Sequence, residues 1–380
     1  MHFELSEEQR MLRQTVSNFV RKDSPVERFR KLRDGELGYD RGVWRKMAEL
    51  GWLALPFAES IGGLGFPFVD VGLLLEQFGT TLVAEPYLAS VVLAGKAIEL
   101  AGTPEQAERW LAPMIAGETT LALAYQEAES GHAPERCDCV ATRTADGFRL
   151  HGQKRWVLNG HAADWLVVSA RLGGEIALFV VDPAASGVSR RSVQMIDFRR
   201  AAMLDLDNVV VAADQHLPAE DAAAVLEHVY DYGAAAAIAE GVGLMDAVLR
   251  MTVEYLKTRE QFGQKIGAFQ VLQHRAVEMF VECELTRSAS IRALIRADDD
   301  PLLRRTAVSA AKAQLARGAR WVTQQAIQLH GGIGITDEAD VGLYLKRAVV
   351  LNTLFGDEDY HLVRFASLPT FAAERPDQPV

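Results

Sequence analysis

The sequence predicts an α+β chain with at least three sub-domains: helices, then a compact β block, then long helices. Two observations carry this. Apolar residues recur at helical spacing through roughly the first 115 residues and again from about residue 222 onward. Between them, from about 118 to 220, the texture changes to short alternating segments such as DCVATRTA, GFRLHGQKRWVLNG, DWLVVSAR and EIALFVVD.

Ser6 and Gln9 have capping-box spacing, and Met11, Leu12, Val16, Phe19 and Val20 follow on one helical face. Thr103-Pro104-Glu105-Gln106 opens a second helix, with proline at the first helical position. ESIGGLGFPF lies between them and lacks the spacing of a phosphate-binding loop, so it reads as a turn-rich connection. In the β block, Asp146-Gly147 and Gly173-Gly174 are turn signals, and regular short strands in a block this size suggest a small barrel or sandwich. Ile238, Val242, Met245, Leu249, Val253 and Leu256 form one apolar stripe beyond it. Asp300-Pro301 starts another long helix, which Gly331 and Gly332 end. The final ERPDQPV reads as a frayed tail.

The chain has 380 residues and a net charge of −11, so no basic stripe exists to neutralise nucleic-acid phosphates or an anionic membrane surface. The acidic start, MHFELSEEQR, lacks the basic and apolar regions of a signal peptide. The most apolar stretch, YGAAAAIAEGVGLM, is interrupted by Glu240 and is too short to span a bilayer. A cytoplasmic protein without a membrane span is expected. The three cysteines, Cys137, Cys139 and Cys283, are expected to be reduced and incidental, since no second Cys/His pair gives CxC a metal site. His274, His330 and His361 read as helix-surface or helix-end residues rather than bases or ligands.

Four stretches in order, SEEQRML, GQKRWVLNGHAADWLVV, YLKTREQFGQKIGAFQ and QAIQLHGGIGITDE, together resemble the acyl-CoA dehydrogenase family over essentially the whole chain. The third and fourth are specific as a pair: TRxxFGxxIxxFQ, then QxxGGxGxT about 60 residues on. The resemblance implies an N-terminal helical domain (1–117), a middle β-barrel (118–221) and a C-terminal four-helix bundle (222–380). It also implies FAD, bound between barrel and bundle with part of it held by a neighbouring subunit. The implied reaction removes an α-proton from an acyl-CoA thioester with a carboxylate base while the β-hydride passes to the flavin.

The residues matching the two halves of such a site are unequally preserved. In the set that would reach a partner's FAD, Arg259 matches the pyrophosphate arginine, with Phe262 and Gln270 in their family positions. Gln328, Gly331 and Gly332 match QxxGG, where glycine permits close backbone approach. In the set for the chain's own FAD, Trp156 matches the tryptophan flanking the flavin ring, unless it is a barrel-core residue. Leu158 stands where the family has Thr or Ser, and AYQEAESGHAPE stands for the family's TEPxxGSD loop, with Ala128 for Thr and Glu129 for Glu. The usual Glu before Gly-Thr aligns with Phe355, and the alternative Glu position with Gly233, so neither can take a proton. The usual Arg-Asp pair reads Lys346-Arg347.

This imbalance is similar to the smaller, base-less subunit of bacterial two-subunit enzymes acting on dicarboxylic, alicyclic or steroid-side-chain CoA thioesters. The resemblance then implies an α2β2 assembly with a second acyl-CoA dehydrogenase-like subunit, acyl-CoA as substrate and electron-transfer flavoprotein as acceptor. Two other readings stay open. One is a self-sufficient dehydrogenase with a displaced base at Asp357 or Asp231. The other is a flavin monooxygenase or flavin-free scaffold on the same fold.

Overall fold

A computed structural model of the chain describes residues 5–369, so the ERPDQPV tail lies outside them. The helix α1 (Glu7–Lys22) opens on a reciprocal capping box: Gln9 N–H donates to Ser6 Oγ and Ser6 N–H to Gln9 Oε1, each at 3.1 Å. α2 (Val26–Leu32), α3 (Arg41–Glu49) and α4 (Phe68–Gly79) follow. A buried π-helical stretch, Leu88–Gly95, continues into α5 (Lys96–Ala101), and α6 (Pro104–Ile115) starts at the expected Thr103 cap. The strands are β1 (Leu121–Ala124), β2 (Val140–Thr144), β3 (Gly147–Leu158), β4 (Trp165–Leu172), β5 (Glu175–Val181), β6 (Val188–Gln194), β7 (Arg200–Ala212) and β8 (His216–Leu217). Then come α7 (Ala222–Thr258), the hairpin β9 (Glu260–Gln261) and β10 (Gln264–Lys265), α8 (Gln270–Arg296), α9 (Pro301–His330), α10 (Val341–Thr353) and α11 (Glu358–Ala366).

Packing groups these elements into two compact units that interleave in sequence. One comprises Met1–Arg30, Phe68–Val83 and Ala234–Val380, the other Lys31–Pro67 and Ala84–Gly233. The second unit is built on a mixed eight-stranded sheet of order β6-β7-β3-β2-β4-β5-β8, with β1 parallel to β4. β3 and β5 are not neighbours in this order, yet Phe148 on β3 and Phe179 on β5 meet with ring centroids 5.1 Å apart. The sheet therefore curls round one core, as a barrel does.

The first unit is helical. α9 packs against α8, α10 and α11, and α1 against α4. α4 and α7 touch backbone to backbone. A Cβ on Gly79 would lie 2.0 Å from the Glu240 carbonyl oxygen, and one on Gly243 1.7 Å from that of Glu76, so only glycine fits either place. Glu240, the one charge in the apolar stretch of α7, is buried and bound by both arms of Arg347 on α10, at 2.8 and 2.7 Å. α7 is long and apolar enough to cross a membrane by length and composition, but 89% of its most apolar portion is buried inside the protein, as in a core helix.

Candidate functional site

The reaching set gathers at one end of the helical unit. α8 and α9 pack together as successive helices, which brings Gln270, at the start of α8, near Gln328, at the end of α9. Arg275 donates to Gln325 Oε1 across this end at 3.1 Å. His330 stacks on Tyr255, with centroids 4.5 Å apart, which ties the end of α9 to the end of α7 and so draws Arg259 toward Gly331. Arg259, Phe262, Gln270, Gln328, Gly331 and Gly332 are all exposed. No carboxylate engages Arg259 among the described residues.

Two features of this end cost the chain something that its own packing does not return. Phe262 and Gly263 form the tip of the β9–β10 hairpin with φ of 55° and 79°, a turn that suits glycine at both positions. Yet Phe262 stands there 89% exposed. A large side chain in left-handed backbone carries strain, and strain of this kind collects at functional sites. At Gly332, a Cβ would meet nothing within 4 Å, so no neighbour in this chain requires glycine.

In the sheet unit, Trp156 sits where the β3–β7 register shifts between Lys154 and Val157. The bulge puts Trp156 at φ 51° and turns its side chain outward, 49% exposed rather than in the barrel core. It is an aromatic platform of the kind that stacks on a planar ring. Leu158, two residues on, is half-buried and offers no side-chain donor.

The loop register needs one correction. The carboxylate fixed in this loop is Glu127, not Glu129, which is exposed. Glu127 accepts from Lys154 Nζ (2.5 Å), the Cys139 N–H (3.1 Å) and, at its other oxygen, the Asp138 N–H (2.6 Å). Burial alone would raise its pKa, but Lys154 and the backbone donors outweigh it and hold Glu127 below the usual carboxylate range. Setting the family's glutamate on Glu127 makes Gln126, not Ala128, the counterpart of the Thr, and Gly131 falls on the motif's glycine. His132 and Ala133 then replace Ser and Asp.

Sequence reading missed the Glu127–Lys154 pair, although a signal was present. Phe148, Leu150 and Lys154 lie at even spacing on the inward face of β3, and Lys154 is fully buried there. The three cysteines are free and buried, as expected of reduced thiols, and burial raises Cys139 and Cys283 to about 12. Among the described residues no His, Cys, Asp and Glu cluster could hold a metal.

The base positions carry no titratable side chain. Phe355 is 3% exposed, with φ 58°. Gly233 is buried within α7. Asp357 is the N-cap of α11, its carboxylate accepting the Tyr360 N–H at 2.9 Å. Asp231, also on α7, is fully buried. His361 lies in the first turn of α11, a helix end, and is fully buried, with Nε2 2.7 Å from the Phe355 carbonyl oxygen.

A buried lysine serves the same loop. Lys312, on α9, is fully buried and donates to the carbonyl oxygens of Gly356 (2.7 Å) and Asn352 (3.1 Å). Burial pulls its pKa from the ordinary 10.5 to about 7, only partly opposed by Asp357. The folded value lies below the unfolded one, so between about pH 7 and the ordinary lysine range the unfolded chain binds the proton more tightly. The stability linked to Lys312 therefore rises with pH across that window, by up to about 1.4 kcal/mol per unit. Urea unfolding at pH 7, 8 and 9 should show wild type gaining on Lys312→Met. Parallel pH profiles for the two proteins would rule this out.

Comparisons with known proteins give the chain's relatives. Residues 6–118 match the family model described as acyl-CoA dehydrogenase, N-terminal domain, and residues 223–367 the one described as acyl-CoA dehydrogenase, C-terminal domain. The acyl-CoA dehydrogenase IpdE2 of Mycolicibacterium smegmatis is 31% identical, with 90% of this chain and 93% of that protein covered. Among solved structures, the ChsE4-ChsE5 complex from Mycobacterium tuberculosis holds a chain with a TM-score of 0.89 and 28% identity, covering 99% of this chain and 100% of that one. A variant of the Tcur3481-Tcur3483 steroid ACAD gives a TM-score of 0.88 and 29% identity, covering 97% of this chain and 99% of that one.

Proposed function

The chain belongs to the acyl-CoA dehydrogenase family, and on that premise we propose that it is the base-less subunit of a heteromeric enzyme that dehydrogenates acyl-CoA thioesters. The observation that carries this reading is Phe355: where the family's carboxylate is expected, a phenylalanine is buried and its carbonyl is tied down by His361. Gly233, at the alternative position, offers nothing in its place.

The residues present fit FAD better on the lending side than on the receiving side. Arg259 would meet a pyrophosphate with a charged, planar fork. Gly331 and Gly332 would let backbone come close to the cofactor, and Phe262, Gln270 and Gln328 would line the same exposed end. On the chain's own side, Trp156 would flank the flavin ring, while Leu158 and the altered loop at 126–133 supply fewer donors. FAD held by these residues would supply the acceptor for a hydride from the substrate's β-carbon. The partner would supply the carboxylate that takes the α-proton.

The two-part names of the solved neighbours support a paired assembly, and the second names a steroid enzyme, which favours a bulky acyl group here. The division into domains 1–117, 118–221 and 222–380, the α2β2 stoichiometry, the cytoplasmic location and an electron-transfer flavoprotein as acceptor belong to the same proposal. The test is expression of the chain alone and together with its genomic neighbour. The pair should be yellow and reduce its flavin with acyl-CoA, and the single chain should do neither. A yellow, active single chain would overturn the reading.

A further inference from the structure

We propose that Lys312 and His361 are positioning residues that hold the backbone of residue 355 in a fixed presenting frame, whatever side chain stands there. The proposal rests on the alignment of Phe355 with the family's base position.

The frame begins with two successive left-handed residues, Phe355 at φ 58° and Gly356 at φ 98°. Glycine suits this conformation, but phenylalanine does not adopt it readily. Something must therefore over-determine the loop. Buried donors receive both carbonyls: His361 Nε2 lies 2.7 Å from the Phe355 oxygen, and Lys312 Nζ lies 2.7 Å from the Gly356 oxygen. The same amine also donates to Asn352 O at 3.1 Å, and the Asn352 side chain donates to Ala316 O on α9 at 3.1 Å. The end of α10 and the loop after it are thus fastened to α9 through main-chain oxygens.

Gly356 shows the same over-determination. A Cβ there would lie 2.3 Å from the Tyr360 ring and 2.8 Å from His361 Nε2, so the loop packs tightly against the first turn of α11. The Lys312 amine bonds main-chain carbonyls rather than a carboxylate, and it needs no full charge to do so. Even its neutral form keeps two N–H groups, enough for the Asn352 and Gly356 oxygens. A frame that holds the backbone by its carbonyls can survive the exchange of a carboxylate for phenylalanine.

Amide hydrogen exchange over residues 353–361 of the full chain tests this. Lys312→Met and His361→Leu should each speed exchange there by at least about tenfold, the effect of losing one buried hydrogen bond or, for Lys312, two. His361→Gln, which restores a donor near the Nε2 position, should return it to within about twofold of wild type. Phe355→Ala, which removes the side chain and leaves the carbonyls clamped, should also stay within about twofold there, even where the rest of the bundle loosens. The idea fails if Phe355→Ala loosens the segment as much as Lys312→Met does, or if His361→Gln is no better than His361→Leu. An active single chain would overturn the proposed function and leave this exchange pattern intact.

Discussion

Glu240→Gln will destabilise the chain by about 3–5 kcal/mol, because it takes the negative charge out of a buried, doubly bonded ion pair with Arg347. Both side chains are nearly fully buried, with Glu240 5% and Arg347 3% exposed. Removing one partner leaves an uncompensated charge, whereas removing both does not. The double variant Glu240→Leu/Arg347→Met should therefore recover most of the loss. Urea unfolding of the three proteins measures this directly. A double variant no more stable than Glu240→Gln would show that the pair is not acting as a charge couple. The result would also give a reason for Lys346-Arg347 standing where the family has Arg-Asp, since the second position is engaged inside the helical unit.

Arg259→Ala, made in this chain and assembled with its partner, will weaken FAD binding by roughly tenfold to a hundredfold. That corresponds to losing one charge-assisted phosphate contact of about 1.5–3 kcal/mol. Arg259→Lys should recover only part of the loss, since an ammonium lacks the bidentate fork. The side chain is exposed, so the chain's own thermal midpoint should move little. Flavin retained after gel filtration, with the dissociation constant from fluorescence titration, provides the measurement. Unchanged flavin binding would remove Arg259 from the cofactor site.

Local rules made the helices, their caps and the β block legible. The capping boxes at Ser6 and Thr103 both form as their spacing predicts. The candidate site stood out in the sequence where it rests on contiguous motifs, such as TREQFG and QLHGG, which the fold gathers at one end of the helical unit. It was less legible where packing decided. Two glutamates in AYQEAESG have equal claims in one dimension, and only the inward-facing Lys154 on β3 selects Glu127. Similarly, Lys312 lies in an apolar stripe with Val308, Leu315 and Ala319, which reads as a helix core until a loop from elsewhere offers its carbonyls. Trp156 followed strand periodicity on paper, and a bulge reversed its face. Buried polar partners distant in sequence, and single-residue register shifts, leave no periodic trace.

The crossing of α4 and α7 at Gly79 and Gly243 is set by exclusion rather than attraction. Replacing a helical glycine by alanine usually strengthens a helix, by up to about 1 kcal/mol. Here the added methyl would act as a wedge between two main chains, and neither carbonyl it meets belongs to a side chain that could swing aside. The junction is a mutational dead end: it has nothing smaller to become, and any enlargement must first move a whole helix. Stabilising designs for this protein should therefore treat both positions as fixed and look for gains elsewhere.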